Sequence, residues 1–373
     1  MELNTYVENS QKELYDLLVE LCQIPAPSHK EDRRVEWIKD KLYSWGAKEV
    51  IVDEAKNVIL PIKGRESGYT IFMAHTDVVF PDETPLPLVI KEETMHCPGI
   101  GDDTANVACL MMMAKYIIQN DIKPKNDLLI VANSCEEGLG NLKGVRQLMK
   151  DYEGQVREVI SFDGTYGGVV NDAVGSHRYQ IEARTIGGHS YHAFGNPNAV
   201  VQLSQLITTL YTMEVPKIGH TTYNVGGIEG GTSINTIPQY ASMLYEYRSD
   251  RIESLSIMED FFTTMIEAYK KMGMDLNVIE LGKRPCKAIF EDETRLNELT
   301  DLALKVQADI LDTEELSIHA SSTDCNIPLS LGIPAICFGL IDGHGAHTRE
   351  EFIYTHSLPI GLRLAAAFME HFF

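Results

Sequence analysis

An α/β fold with a mostly parallel central sheet and flanking helices is what this sequence predicts, with a smaller α+β domain inserted into it. Three observations carry the prediction. Apolar strand-like runs alternate with amphipathic helical stretches through the first half of the chain. Three of those runs end abruptly in charged residues, at HTD, EE and D. Near residue 176 the pattern changes to alternating strands around two helices, and after residue 284 the first manner returns.

The elements follow in order. Leu14, Leu17, Leu18 and Leu21 share one side of a helix over residues 10–23. Ser28 followed by Glu31 reads as a helix cap before KEDRRVEWIKDKLYSWG, which stops at Gly46. KEVIVD, NVILPI and YTIFMAH then read as strands. TANVACLMMMAKYIIQN is a helix whose three successive methionines are packing material. DLLIVANSCEE and EVISFDG repeat the pattern of an apolar strand ending in charge. Parallel sheets place ligand sites beyond such carboxyl ends.

From HRYQIEARTI onward the order reads β-α-β-β-α-β, with helices at NAVVQLSQLITTLYTM and SIMEDFFTTMIEAYKKMG. This predicts a ferredoxin-like inserted domain over residues 177–284. The first domain is then discontinuous, 1–176 and 285–373, regaining its α/β character in ETRLNELTDLALKVQ, AICFGL and SLPIGLRLAAAFMEHFF.

Composition narrows the partners. The chain has 373 residues, 44% of them hydrophobic, enough for two cores. A net charge of -22, from 54 acidic and 32 basic residues, argues against nucleic acid or an anionic membrane as partner. The seven cysteines form no CxxC pair, which fits reduced thiols. The opening MELNTYVENSQKELYDLL lacks the apolar centre of a secretion signal, and no stretch reaches the length of a membrane span. A cytoplasmic location is expected.

The residues with chemical potential are His75, Asp77, Asp102, Asp103, Glu136, Glu137, Asp163 and His347. Singly, each has an ordinary role as a polar strand cap or a solvated acid. Jointly, they sit just past apolar strands or within glycine-bracketed turns, so neighbouring strands would bring their carboxylates together. Converging carboxylates raise one another's pKa unless a positive charge lies between them. One or two divalent metals resolve that conflict, and a His and carboxylate set with no thiolate suits zinc, cobalt or manganese. In a two-metal arrangement His75, Asp163, Glu137 and His347 are candidate ligands around a bridging Asp102, and Glu136 is left to take a proton from water. Asp77, two residues after His75, can orient it. Spacing alone does not separate Asp102 from Asp103, or His347 from His344.

These residues carry a resemblance to the M20 family of metallopeptidases, and within it to peptidase T and tripeptidase-type members. The matching pieces are MAHTDVV (73–79), GIGDDTANVA (99–108), SCEEGLG (134–140), SFDG (161–164), GGHSYHAFGNPNAV (187–200), GGTSINTIP (230–238), STDCNIPLSLGIPAICFG (322–339) and GAHTREEF (345–352). The resemblance implies His75, Asp102, Glu137, Asp163 and His347 as metal ligands, with Asp102 bridging. It implies Glu136 as general base and Asp77 as the aspartate behind His75. It selects Asp102 over Asp103 and His347 over His344. It gives the inserted domain a purpose as lid and dimer contact, with His189 reaching the partner's site and Asn235 and Arg248 gripping a substrate carboxylate. His192 receives no role. Two positions depart from the family pattern: Thr104 and Asn106 stand where Lys and Gly are usual, and Ala193 where proline is common.

The implied activity is hydrolysis of an amide bond in di- or tripeptides by a homodimer carrying two divalent metals per subunit, zinc foremost. An N-acyl-amino-acid deacylase is the alternative, and an inactive binding protein on the same scaffold the alternative of another class. A serine hydrolase is disfavoured because no GxSxG elbow is present. GIGDD is acidic where a phosphate cradle would not be.

Overall fold

The computed structural model describes residues 1–373, which divide into two compact units. Met1–Ala173 with Ile289–Phe373 form the first, and Val174–Ala288 form the second.

The first unit is built on an eight-stranded sheet. Its spatial order is Ile51–Val52, Val58–Ile62, Asn126–Asn133, Glu66–His75, Val156–Ser161, Ala335–Cys337, Gly168–Ala173 and Ser317–Ser321. The sheet is mixed. The four strands from Asn126–Asn133 to Ala335–Cys337 run parallel, as does the outer pair of Gly168–Ala173 with Ser317–Ser321. Antiparallel pairing enters on both sides of that parallel middle, at Val58–Ile62 and between Ala335–Cys337 and Gly168–Ala173. A short link suffices to join Ile51–Val52 to Val58–Ile62, whereas parallel neighbours need long crossovers.

Those crossovers are helices. Ala105–Gln119 follows Glu66–His75, and Lys143–Asp151 follows Asn126–Asn133. Met111, Met112 and Met113 are all buried, so the methionine run is core, as its sequence setting indicates. Phe72, Phe162, Phe338 and Phe368 form a chain of ring contacts with centroids 5.1–6.1 Å apart. Edge-to-face and offset contacts at such distances add to what burial alone contributes.

Register then sets the site. His75 pairs with Asn133, and Met73 with Ser161, so three parallel strands end at nearly the same level. The residues just past that edge are Thr76–Asp77, Ser134–Glu137 and Phe162–Asp163.

The second unit has a four-stranded, fully antiparallel sheet in the order Thr221–Gly230, Tyr240–Ser249, Gly175–Arg184, Asp275–Arg284. Helices Ala199–Leu210 and Ile252–Lys271 cover one face. Asn198 caps the first, its side chain accepting from the Val201 N–H at 3.1 Å. Burial alternates along Tyr240–Ser249. Met243, Tyr245 and Tyr247 point into the core with Phe262, while Leu244, Glu246 and Arg248 lie on the other face. No helix of the chain is long and apolar enough to cross a membrane.

Candidate metal centre

Asp102 stands at the middle of the cluster. Its Oδ1 lies 3.0 Å from His75 Nε2, and its Oδ2 lies 3.1 Å from His347 Nε2. One carboxylate thus faces two imidazoles with different oxygens. Asp163 Oδ1 approaches His75 Nε2 at 3.9 Å, and Glu137 Oε1 approaches His347 Nε2 at 3.3 Å. Three sets of side chains bring their donor atoms within 4.8 Å of one another: His75, Asp102 and Asp163; His75, Glu136 and Glu137; Asp102, Glu137 and His347. His75, Glu136 and Glu137 are buried, and His347 is exposed.

Each ligand candidate is aimed by an anchored backbone. Asp103, joined to Asp102 by a cis peptide, turns away from the cluster and accepts from the His75 N–H at 2.9 Å and from the Asn106 side chain. Asn106 also donates to Gly164 O and accepts from the Leu340 N–H, so it links the turns around residues 102, 164 and 340. Thr104 donates to Gly99 O and accepts from Arg34 Nη1. The two departures from the family pattern, Thr104 and Asn106, are therefore tied into the turn that carries Asp102.

Asp77 meets the cluster at two points, the His75 ring and the acid pair. His75 Nδ1 lies 3.0 Å from the Asp77 backbone carbonyl, while Asp77 Oδ1 is 3.5 Å away. The Asp77 carboxylate accepts from the N–H groups of Glu136 and Glu137 at 2.9 and 3.0 Å. It thereby fixes the acid pair to the histidine strand. Ser28 Oγ donates to Asp77 Oδ2 at 2.6 Å. This corrects the reading of Ser28 as a helix cap: the helix starts at Asp32, with Glu31 at the cap position, and Ser28 lies too far upstream to reach its first N–H groups.

Glu31 is also recruited. Its Oε1 accepts from the N–H groups of His29 and Cys135, holding Cys135 at a φ of 59° just before Glu136. Buried Arg34 donates from Nη1 to Thr76 O at 2.7 Å, bracing the link between His75 and Asp77. Ser28, Glu31 and Arg34 were missed as site residues. Ser28 and Glu31 read only as polar residues ahead of a helix, and Arg34 as one charge in the helix's first turn.

The electrostatics are those of an acidic cluster short of positive charge. Burial, reinforced by the Asp102 charge, pushes Asp163 up to about 7. Burial drives Asp103 well above the usual carboxylate range, with His75 opposing. For Asp102, burial is outweighed by His347 and His75, and its carboxyl falls well below that range. Burial disfavours charge on His75, yet Asp103, Asp102, Asp77 and Asp163 together raise it well above an ordinary histidine. Hydrogen bonds to Asp102 and Glu137 raise His347 to about 10. The two imidazoles are thus the positive partners that the surrounding carboxylates favour. Glu137 Oε1 is buried, with the His347 imidazole at 3.3 Å as the donor group beside it, and the ligand set is nitrogen and oxygen only. Both features fit divalent metal.

The other predicted residues lie in the second unit. His189 pairs with Thr236 across a short ladder, and Asn235 O accepts from the Ser190 N–H, so His189 and Asn235 are neighbours. His189 Nδ1 accepts from the Tyr191 N–H at 3.2 Å, and the His192 ring lies 4.8 Å from that of His189. Arg248 is paired bidentately with Glu246 at 3.0 and 2.9 Å. His344 packs against Phe352 and Tyr354 and belongs to none of the three donor sets.

A mixed α/β sheet with His and carboxylate side chains gathered at the ends of its parallel strands defines a metal-dependent hydrolase. The chain belongs to peptidase family M20/M25/M40, whose model matches residues 71–371. It is 24% identical over 343 residues to a succinyl-diaminopimelate desuccinylase of Corynebacterium glutamicum, covering 89% of each chain. Among solved structures it is similar to a tripeptidase of Staphylococcus aureus, with a TM-score of 0.76, 20% identity and coverage of 97% and 98%. An aminopeptidase PepT of Bacillus cereus gives a TM-score of 0.71, 22% identity and coverage of 96% and 98%.

Proposed function

We propose that this protein hydrolyses the amide bond of small peptides, di- or tripeptides with a free terminus, at a dinuclear metal centre. The observation that carries the reading is Asp102, whose two oxygens face His75 and His347 separately. That arrangement suits a carboxylate bridging two cations, one held with His75 and Asp163, the other with His347 and Glu137. Two divalent ions held there, most readily zinc, with cobalt or manganese as alternatives, would acidify a shared water and polarise the scissile carbonyl.

The remaining work falls to side chains. Glu136, anchored through its N–H to Asp77, takes the proton from the attacking water and returns it to the leaving amine. His189 stabilises the oxyanion. Its Nδ1 accepts from the Tyr191 N–H, which leaves the proton on Nε2, the nitrogen free to donate. Asn235 and Arg248 hold the substrate carboxylate. We assign the second unit to lid and homodimer contact, with His189 serving the partner's site.

Preference for peptides rests on the GIGDDT and FDG motifs. A second reading, an N-acyl-amino-acid amidohydrolase, is favoured by the desuccinylase among the sequence relatives. Both substrate classes present an amide and a carboxylate. One experiment tests the mechanism and separates the readings: wild type and Glu136→Ala assayed on di- and tripeptides beside N-acetyl and N-succinyl amino acids. Wild type should cleave peptides fastest. Glu136→Ala should keep its metal and lose about 10²–10⁴-fold in turnover. Faster cleavage of acyl substrates moves the assignment to the second reading, and an active Glu136→Ala removes the general base.

A further inference from the structure

Glu351 is a buried carboxylate with no part in the mechanism so far, and its surroundings are specific. It lies four residues beyond His347 and accepts three backbone N–H groups from a distant turn. Oε2 accepts from Gly99 at 2.6 Å, and Oε1 accepts from Gly101 at 2.7 Å and Asp102 at 3.0 Å. That turn precedes the helix Ala105–Gln119, and no ladder or helix partner serves these donors. Buried N–H groups must be met by something. An ionised carboxylate meets them well, because it offers two oxygens that only accept and makes charge-assisted bonds.

A plain structural role, closing an irregular turn, explains part of this. Two features go further. One of the three donors is the N–H of Asp102, the residue whose side chain faces both histidines. The other end of the connection is the His347 loop itself, closed by bonds from Thr348 N to Gly345 O and from Glu351 N to Thr348 O. His347 is held there at a φ of 65°, which a non-glycine residue keeps only when its surroundings enforce it. A single side chain therefore joins the loops bearing two proposed ligands of the same cation.

We infer that Glu351 is a positioning residue for the metal centre, setting the separation of Asp102 and His347 and so the strength with which their half of the centre holds its cation. The inference rests on the dinuclear reading above. Glutamine in its place is isosteric but presents an NH₂ group to at least one of the three donors. Aspartate keeps the charge but is one carbon short.

The test is titration of metal-stripped protein with Co²⁺, followed by calorimetry and visible absorption, with kcat and KM measured in parallel. Wild type should take up two equivalents. Glu351→Gln should bind one with wild-type affinity and the other about 10–100-fold more weakly, with kcat reduced more than KM. Glu351→Asp should recover part of the loss. A purely structural role would lower the melting temperature without separating the two affinities. Equal weakening of both equivalents, wild-type binding by Glu351→Gln, or failure of both variants to fold each overturns the inference. A wild type that binds no second equivalent instead overturns the dinuclear reading, and this inference falls with it.

Discussion

Asp102, Arg248 and Glu246 show how much depends on which oxygen meets which nitrogen. Asp102 is divided between two imidazoles, whereas Arg248 is committed to a single acid on its own strand. Glu246 and Arg248, two residues apart, share the uncovered face of the Tyr240–Ser249 strand, and Arg178 Nε approaches the same carboxylate at 3.6 Å. If Arg248 grips a substrate carboxylate, Glu246 occupies its fork beforehand, and the substrate must displace it. Arg248 is part-exposed, so the competition is modest. Glu246→Gln should lower KM severalfold for substrates with a free carboxylate and leave amidated analogues unchanged. Steady-state kinetics on a matched acid and amide pair decides it. A raised KM for the acid would show that Glu246 orients Arg248 rather than competing with its ligand.

At the scale of elements, the parallel strands deliver His75, Glu136, Glu137 and Asp163 to one edge, and the connecting turns are packed to backbone contact. The Lys143–Asp151 helix presses on the turn before Glu136 through Gly144. A Cβ added there would lie 2.2 Å from Ser134 O and 2.5 Å from Asn57 Oδ1. Gly144 N donates to that same Ser134 carbonyl, and Asn57 Oδ1 accepts from the Ser134 N–H, so neither neighbour can yield without losing a bond. Gly144→Ala should therefore destabilise the protein by about 1–3 kcal/mol, the usual cost of overpacking, and reduce turnover by displacing Glu136. Denaturant unfolding beside kinetics measures both. Unchanged stability would mean that the helix shifts freely.

This scale also shows where the sequence could be read and where it could not. The strands ending at His75, Asn133 and Ser161 were legible because a buried strand is a short apolar run, and its terminal charges then stand out. The main helices were legible from their periodicity. Glu351 was not, since within HTREEF it looks like one of a charged pair, and its purpose lies in backbone donors far away in sequence. Ser28 and Glu31 resembled a cap for the same reason. Their partners are Asp77 and Cys135, and side chain to backbone bonds between distant segments leave no periodic trace.

For the whole molecule, the net charge of -22 finds its sharpest local expression in the cluster of Asp102, Asp163, Glu136 and Glu137, with Asp103 buried behind His75. Burying so many acids together is unfavourable without compensation, and His75 and His347, both raised above an ordinary histidine by those acids, offer part of it. Cations bound to the folded state alone stabilise it in proportion to their occupancy. The account turns on there being two of them, bridged by Asp102. Metal content per chain, measured in wild type and in Asp102→Asn after reconstitution with Co²⁺ or Mn²⁺, tests this most directly. Spin-coupling spectroscopy on the same samples adds a reading of whether the ions are bridged. The account predicts two ions per wild-type chain, magnetically coupled, and loss of the coupling with at least one ion in Asp102→Asn. A single ion in the wild type, or a coupled pair that survives the substitution, would contradict it.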